Sequence, residues 1–296
     1  MNVTFRQLRL FLALAESGSV SAAARAMHVT QPTASMQLRE LARSVGLPLH
    51  EVIGRKLHLT EAGRELAATA RVIAQAWESF EQGVDAARGL SRGKLRVAVV
   101  STAKYFMPRL IGGFCRRHPA VDVALEVLNR DGVVQRLREN LDDLYIMSMP
   151  PPGMDLDDQV FMANPIVVIA PARSRLPRRR LALAELAGER FILRETGSGT
   201  RMATDQHFRR QRFKPDIRLE LGSNEALRES VAGGLGLGVV SRHALAGHGG
   251  QGVRELDVAG FPLPSAWHIV HPAGKRLSPL AQAFRGHLLA EMRAAK

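Results

Sequence analysis

The 296-residue sequence is poor in the groups that build covalent frameworks and metal clusters. It holds one cysteine, Cys115, so neither an internal disulfide nor a cysteine metal site can form. Its 10 histidines show no HExxH spacing, and His118 and His271 each stand before a proline. No run approaches the length of a membrane span, and the N-terminus lacks the charged-then-apolar order of a signal peptide. The expectation is a cytoplasmic protein. Glycine runs are present without the cofactor signatures. GSGTR lacks the GK[ST] of a phosphate-binding loop, and GGLGLGVV leaves a helix to enter a strand, the reverse of the dinucleotide fingerprint. Asp142 with Asp143, and Asp157 with Asp158, are sequence neighbours that point to different faces. Cys115 has no base nearby in sequence and reads as a packed thiol. A catalytic constellation is missing, and the expectation is a protein that is not an enzyme.

Positive charge is abundant. The net charge is +13, a surplus that attracts polyanions, of which nucleic acid is the commonest soluble one. An arginine-rich composition without function would look the same. At 296 residues the chain suits two domains, or one small and one larger, and 46% hydrophobic residues argue against disorder.

The stretch Val20–Leu41 reads as two short helices and a tight turn. The first covers Ser21 to Met27. The second opens at Gln31 with Pro32 in its first turn and Thr30 as N-cap. Leu38 and Leu41 face inward, leaving Gln31, Thr33, Ser35, Met36 and Arg39 outward. An exposed face of short polar groups and an Arg suits a recognition helix in a major groove; the alternative is an ordinary helical hairpin. Beyond it, Leu49–Ile53 and Lys56–Thr60 read as a wing, with Gly54, Arg55 and Lys56 at its tip. A long helix follows, in which Leu66, Ala70, Ile73, Trp77, Phe80, Val84 and Ala87 form a heptad seam. Pairing with a second copy, parallel or antiparallel, would bury it; so would packing on its own domain. Ser91, Arg92 and Gly93 read as a hinge.

From Lys94 onward apolar strands alternate with helices, which implies parallel sheets between helices. The strands are too many for one small sheet. Two α/β lobes, with crossings near residues 162 and 266, accommodate them. The expected organisation is a winged helix-turn-helix over 1–60, a linker helix and hinge over 61–92, and a two-lobed domain over 93–296. Its first lobe takes about 93–161 and 267–296, its second about 162–266. The Arg173–Arg180 run reads as a solvated loop. Three strand-to-helix junctions carry small polar residues: Ser101 and Thr102; Gly197, Ser198, Thr200 and Arg201; Ser223 and Asn224. Ligands of open α/β sheets gather at such strand ends, and helix N-termini there favour anions. Arg201 is the expected bidentate clamp. Simple capping explains each junction taken alone.

The segments LRLFLALAESGSVSAAARAMHVTQPTAS, VGLPL and LTEAG resemble the LysR-type transcriptional regulators, and the resemblance runs over essentially the whole chain. VVSTAKYFMPRLIGGFCRRHP, ENLDDLYIM, NPIVVIAP and LRETGSGTRMA resemble the branch that regulates carbon-fixation (RuBisCO) operons and inorganic-carbon uptake. The resemblance implies a winged helix-turn-helix, a dimerising helix, and an effector domain of periplasmic-binding-protein fold. It implies a homodimer or homotetramer on double-stranded promoter DNA, activation with RNA polymerase as partner, and no membrane. It implies no cofactor and a small anionic effector, phosphorylated or nucleotide. Gln31, Pro32, Thr33, Ser35 and Arg39 would meet DNA, with Arg55 at the wing. Ser101, Thr102, Asn129, Thr200 and Arg201 would serve the effector. Val20, Ala42, His50 and Thr196 depart from the family pattern; the first three bear on packing and linker contact, and Thr196 on the ligand. A small-anion binding protein whose N-terminal helices only dimerise, a regulator of another operon, and an enzyme on the α/β lobes are the rival readings.

Overall fold

The computed structural model describes residues 2–54, 56–87, 92–246 and 250–294. The chain divides into two compact units, 1–84 and 85–296.

In the first unit, helix α1 (Phe5–Ser17) starts on a capping box between Thr4 and Gln7 and ends at Gly18, whose φ of 62° is left-handed. Helix α2 (Val20–Ala26) is capped by Ser19, and His28, also left-handed at φ 53°, turns the chain into α3 (Gln31–Val45). The small Ala23, Ala24 and Ala34 let the helices approach, and Phe11, Leu14, Leu38 and Leu41 fill the core. Each such apolar side chain contributes about 1.5–3 kcal/mol on burial. Strands β1 (His50–Ile53) and β2 (Lys56–Leu59) form the wing as an antiparallel pair.

The long helix α4 (Glu61–Ala87) is fastened to the wing at its first turn. The Thr60 hydroxyl donates to the Pro48 carbonyl at 2.6 Å and accepts from the Gly63 amide at 3.0 Å. A Cβ on Gly63 would stand 1.9 Å from the Leu49 carbonyl oxygen, so the helix seats here only without a side chain. This is the physical content of the paired motifs VGLPL and LTEAG. The expected seam divides. Leu66 and Ala70 pack into their own unit, while Ile73, Trp77 and Phe80 stand exposed; the side chain of Ala87 lies outside the described residues.

The second unit holds two five-stranded sheets. The first runs β4 (Ala120–Leu128), β3 (Arg92–Val100), β5 (Leu144–Met147), β12 (Ala266–Pro272), β6 (Leu156–Ala163), packed by α5 (Met107–Arg117), α6 (Arg130–Arg138) and α9 (Pro279–Ala294). The second runs β11 (Val253–Leu256), β7 (Ile166–Pro171), β10 (Leu237–Ser241), β8 (Arg190–Arg194), β9 (Asp216–Leu221). Helices α7 (Gly199–Arg210) and α8 (Asn224–Ala232) pack on it.

Several sequence expectations need correction. The sheets are mixed: β12 is antiparallel to β5 and β6, and β7 to β10 and β11. The chain leaves the first lobe through β6 and returns through β12, so these neighbours must run in opposite directions. They meet where the Asn164 amide donates to the Ser265 carbonyl at 2.8 Å. Strands β6 and β11 were not expected. β6 is a half-exposed edge whose carboxylates disguise it: Asp157 pairs with Arg285 at 3.1 Å, and Asp158 with His268. The expected hinge also fails at Arg92 and Gly93, which belong to β3 and pair with Ala120 and Val121; Ser91 lies outside the described residues. Between β7 and β8 the chain makes a 3-10 turn, Leu183–Leu186.

Candidate functional site

On α3, Thr30 accepts from the Thr33 amide at 3.4 Å and Pro32 occupies the first turn, as its missing N–H allows. Burying Ala34, Leu38 and Leu41 fixes the helix's rotation. Gln31, Pro32, Met36 and Arg39 are then exposed, and Thr33 and Ser35 half-buried. The Arg39 Nε donates to the Ser35 carbonyl at 3.2 Å, which lays the guanidinium along the outer face. Such a fork can address a guanine edge or a phosphate. Lys56 is exposed beside the Gly54 turn, and Arg55 lies outside the described residues. The six residues expected to meet DNA thus lie off the buried face of the helix, two of them half-buried.

In the second unit the parallel strands of both sheets end at the junction of the two lobes. The first lobe brings three strand ends. After β3, a 3-10 turn (Ser101–Tyr105) holds Ser101 and the buried Thr102. After β4, Asn129 caps α6 by accepting from the Gly132 amide at 2.9 Å. After β5 comes the buried Ser148. The second lobe brings Gly197, Ser198 and Thr200 at the start of α7, and Ser223 and Asn224 at the start of α8.

These groups are brought together. The Asp131 amide donates to the Gly197 carbonyl at 3.3 Å across the junction. A Cβ on Gly197 would stand 2.5 Å from the Asp131 carboxylate, and one on Gly199 would stand 2.8 Å from the Ser148 hydroxyl. A side chain at either glycine would have to turn the Asp131 carboxylate or the Ser148 hydroxyl aside. Arg130 lies against the same place: the Gly199 Cβ position is 3.7 Å from its Cδ. Its side chain is 8% exposed, its Nε donates to the Met149 carbonyl at 2.8 Å, and burial lowers its pKa against the pull of Asp131. A cation held out of water beside helix N-termini is suited to a small anion.

Arg194 was not foreseen either. Its guanidinium is 1% exposed and donates to Asn224 at 2.7 Å, to the Ser101 hydroxyl at 3.1 Å, and to Glu195 at 2.8 Å. The Asn224 Nδ2 is buried without a partner among the described residues. A second tie crosses the lobes at Glu225, which accepts from Lys104 at 2.9 Å and from Tyr105 at 2.7 Å. Burial works to raise this carboxyl, but the bonds from Lys104, Tyr105 and Ser223 outweigh it and hold the pKa at about 2. Ser223 is thus occupied: it caps α8 through the Ala226 amide at 3.3 Å and donates to Glu225 at 2.9 Å.

The expected clamp at Arg201 is corrected. Its Nη1 donates to the Arg194 carbonyl at 2.7 Å and to Glu220 at 2.6 Å, and its Nε donates to Asp205 at 3.0 Å. It braces α7 against β9. Arg130 is the buried cation that stands beside the start of α7. The signal for it was its place directly after the Asn129 cap, at a fourth strand-to-helix junction of the same kind.

Residues 5–64 match the family of bacterial regulatory helix-turn-helix proteins of the lysR type, and residues 88–293 match the LysR substrate binding domain. The chain is 43% identical to the RuBisCO operon transcriptional regulator of Acidithiobacillus ferrooxidans over 98% of its length and 94% of the relative's. It is 40% identical to the HTH-type transcriptional activator CmpR of Synechocystis sp., over 98% of this chain and 96% of that one. Among solved structures, the regulatory domain of Synechocystis CcmR in complex with 2-PG is 43% identical, covers 68% of this chain and 98% of that chain, and superposes with a TM-score of 0.66.

Proposed function

The chain belongs to the LysR family of bacterial transcriptional regulators, and we propose that it is a metabolite-responsive activator of a carbon-fixation or related carbon-assimilation operon. In this reading the winged helix-turn-helix, 1–60, reads promoter DNA through Gln31, Pro32, Thr33, Ser35, Met36 and Arg39, with Arg55 and Lys56 at the wing. The helix of the 61–92 segment pairs two copies, and the 93–296 domain senses the effector. The protein works in the cytoplasm with RNA polymerase as its partner. Among the described residues no helix is long and apolar enough to cross a membrane.

The effector is a small phosphorylated metabolite held at the lobe junction. The observation that carries this is the approach of Gly199 to Ser148 and Arg130, which sets a buried guanidinium beside the first turn of α7. Thr102, Ser148, Ser198 and Thr200 add buried hydroxyl-bearing residues around it. Names of the relatives and the 2-PG bound to the CcmR domain support the same chemistry and the choice of operon.

Two measurements test the reading. Gel shifts on promoter duplex over a salt series should show binding in the range of about 10⁻⁸–10⁻¹¹ M with a steep salt slope. Equal affinity for random duplex would reduce the chain to a small-anion binder. Thermal shifts against 2-PG, sugar phosphates, phosphoenolpyruvate and nicotinamide nucleotides should single out one class, and a flat response to all would discard the anion site.

A further inference from the structure

The positive charge of this protein sits in an unexpected place. Residues 1–84 hold nine Lys and Arg against seven Asp and Glu, a net of +2, whereas residues 85–296 hold 32 against 21, a net of +11. The DNA-reading unit therefore carries little of the surplus that the composition offered as a sign of nucleic-acid binding.

Part of that surplus collects at one end of the second sheet. Strands β8 and β9 are parallel, with Arg190 opposite Asp216 at their starts, and β7 runs the other way and ends at Pro171. The start of β8, the start of β9 and the end of β7 thus share one end of the sheet, opposite the end that faces the lobe junction. Arg173 and Arg175 leave from β7 there. Arg209 and Arg210 finish α7 there, Arg212 turns the chain at a left-handed φ of 52°, and Lys214 leads into β9. All six are exposed, and among the described residues none has an acidic partner.

Three acids of the same lobe stand toward the other end. Glu195, Glu220 and Glu225 stand toward the junction, each bound to Arg194, Arg201 or Lys104. At the far end Asp216 is matched by Arg190 at 2.9 Å. Six cations left unpaired on one pole repel one another, a cost that an anionic partner relieves. From β7 to β9 the pole crosses three spacings of about 4.8 Å, about 14 Å, the axial rise of about four phosphates on one DNA strand.

We propose that this pole is a second, sequence-independent contact surface for duplex DNA, taking phosphates outside the segment read by α3. It rests on the DNA-binding reading above, which supplies a polyanion already tethered to the chain. An acidic protein surface is the competing occupant, and tethering favours the duplex.

The test uses the full-length protein and two duplexes with the same recognition site. One is trimmed to the site and the other is extended by about 20 base pairs on each side, about two helical turns. The variant R173Q/R175Q/R209Q/R210Q/R212Q/K214Q is compared with the parent chain across a salt series. On the extended duplex its slope of log affinity against log salt should be shallower by about 3, at about 0.9 per phosphate contact, and its affinity at least tenfold weaker at low salt. On the trimmed duplex the two proteins should coincide. Retention of the slope in the corresponding all-Lys variant, which keeps the charge, completes the expected pattern. Thermal unfolding checks the fold, and R209Q/R210Q/R212Q serves, with a smaller shift, if the larger variant unfolds.

Indistinguishable slopes on the extended duplex overturn the proposal. So does loss of transcription activation with unchanged DNA binding, which assigns the pole to an acidic protein. Failure of the parent chain to bind the trimmed duplex would count instead against the DNA-reading assignment of α3.

Discussion

Gly199 opposes Ser148 across the lobe junction, so closely that a Cβ on the glycine would stand 2.8 Å from the serine hydroxyl. The two residues belong to different lobes, one opening α7 and the other following β5. Their approach fixes how near the α7 N-terminus comes to Arg130. Gly199→Ala should force the lobes apart by a few tenths of an ångström and weaken effector binding at least tenfold, about 1.4 kcal/mol. Ser148→Ala in the same chain removes the opposing oxygen and should restore part of the loss. Calorimetry on the single and double variants checks this; unchanged affinity in Gly199→Ala would move the ligand elsewhere.

Arg130 and Arg201 should separate cleanly. A charge-assisted hydrogen bond to an anion contributes about 1.5–3 kcal/mol, so Arg130→Gln should cost about 10- to 100-fold in effector affinity and leave promoter binding intact. Arg201→Gln should instead lower the unfolding midpoint, because Glu220 and Asp205 lose their common partner. The reverse pattern, measured by calorimetry and thermal unfolding, would return the clamp to Arg201.

The exposed part of α4 should hold two chains together. Trp77 is 49% and Phe80 59% exposed, their rings 5.6 Å apart, and the Trp77 indole already donates to Glu81 at 2.8 Å. With its N–H satisfied, the ring pair is left as apolar surface. At about 1.5–3 kcal/mol for each side chain buried, Trp77→Ala with Phe80→Ala should weaken dimerisation at least 100-fold. Sedimentation at micromolar concentration reads the change, and an unaltered dimer would place the interface elsewhere.

The tie at Glu225 gives a pH dependence of known sign. Its carboxyl titrates near 2 when folded, below the ordinary value of 4.5. The unfolded chain binds the proton more readily, so the contribution is complete above about 4.5 and is lost as pH falls toward about 2. Urea unfolding between about pH 6 and pH 3 should show a steeper loss in the parent chain than in Glu225→Gln. Parallel curves would show that Lys104 and Tyr105 do not hold this carboxylate in solution.

Local chemistry made much of the molecule readable in advance. Thr30 and Pro32 mark the start of α3 because caps act within one turn, and the inward spacing of Leu38 and Leu41 follows from helical period. The polar junctions after β3, β8 and β9 were visible for the same reason, as short-range capping patterns. The mixed sheet direction was not, since strand direction depends on where β6 and β12 cross between lobes.

Which arginine stands beside the α7 N-terminus was decided by the tertiary structure. Arg201 stands within the polar motif, yet Glu220, Asp205 and the Arg194 carbonyl consume it, while Arg130 arrives from the other lobe, 71 positions earlier in the chain. The basic pole obeys the same division. Composition alone announced an excess of positive charge, but only the opposed directions of β7 and β8 bring Arg173 and Arg212 to one end of a sheet. Caps and periods are settled by neighbours along the chain; ion-pair partners and charge poles are settled by neighbours in space.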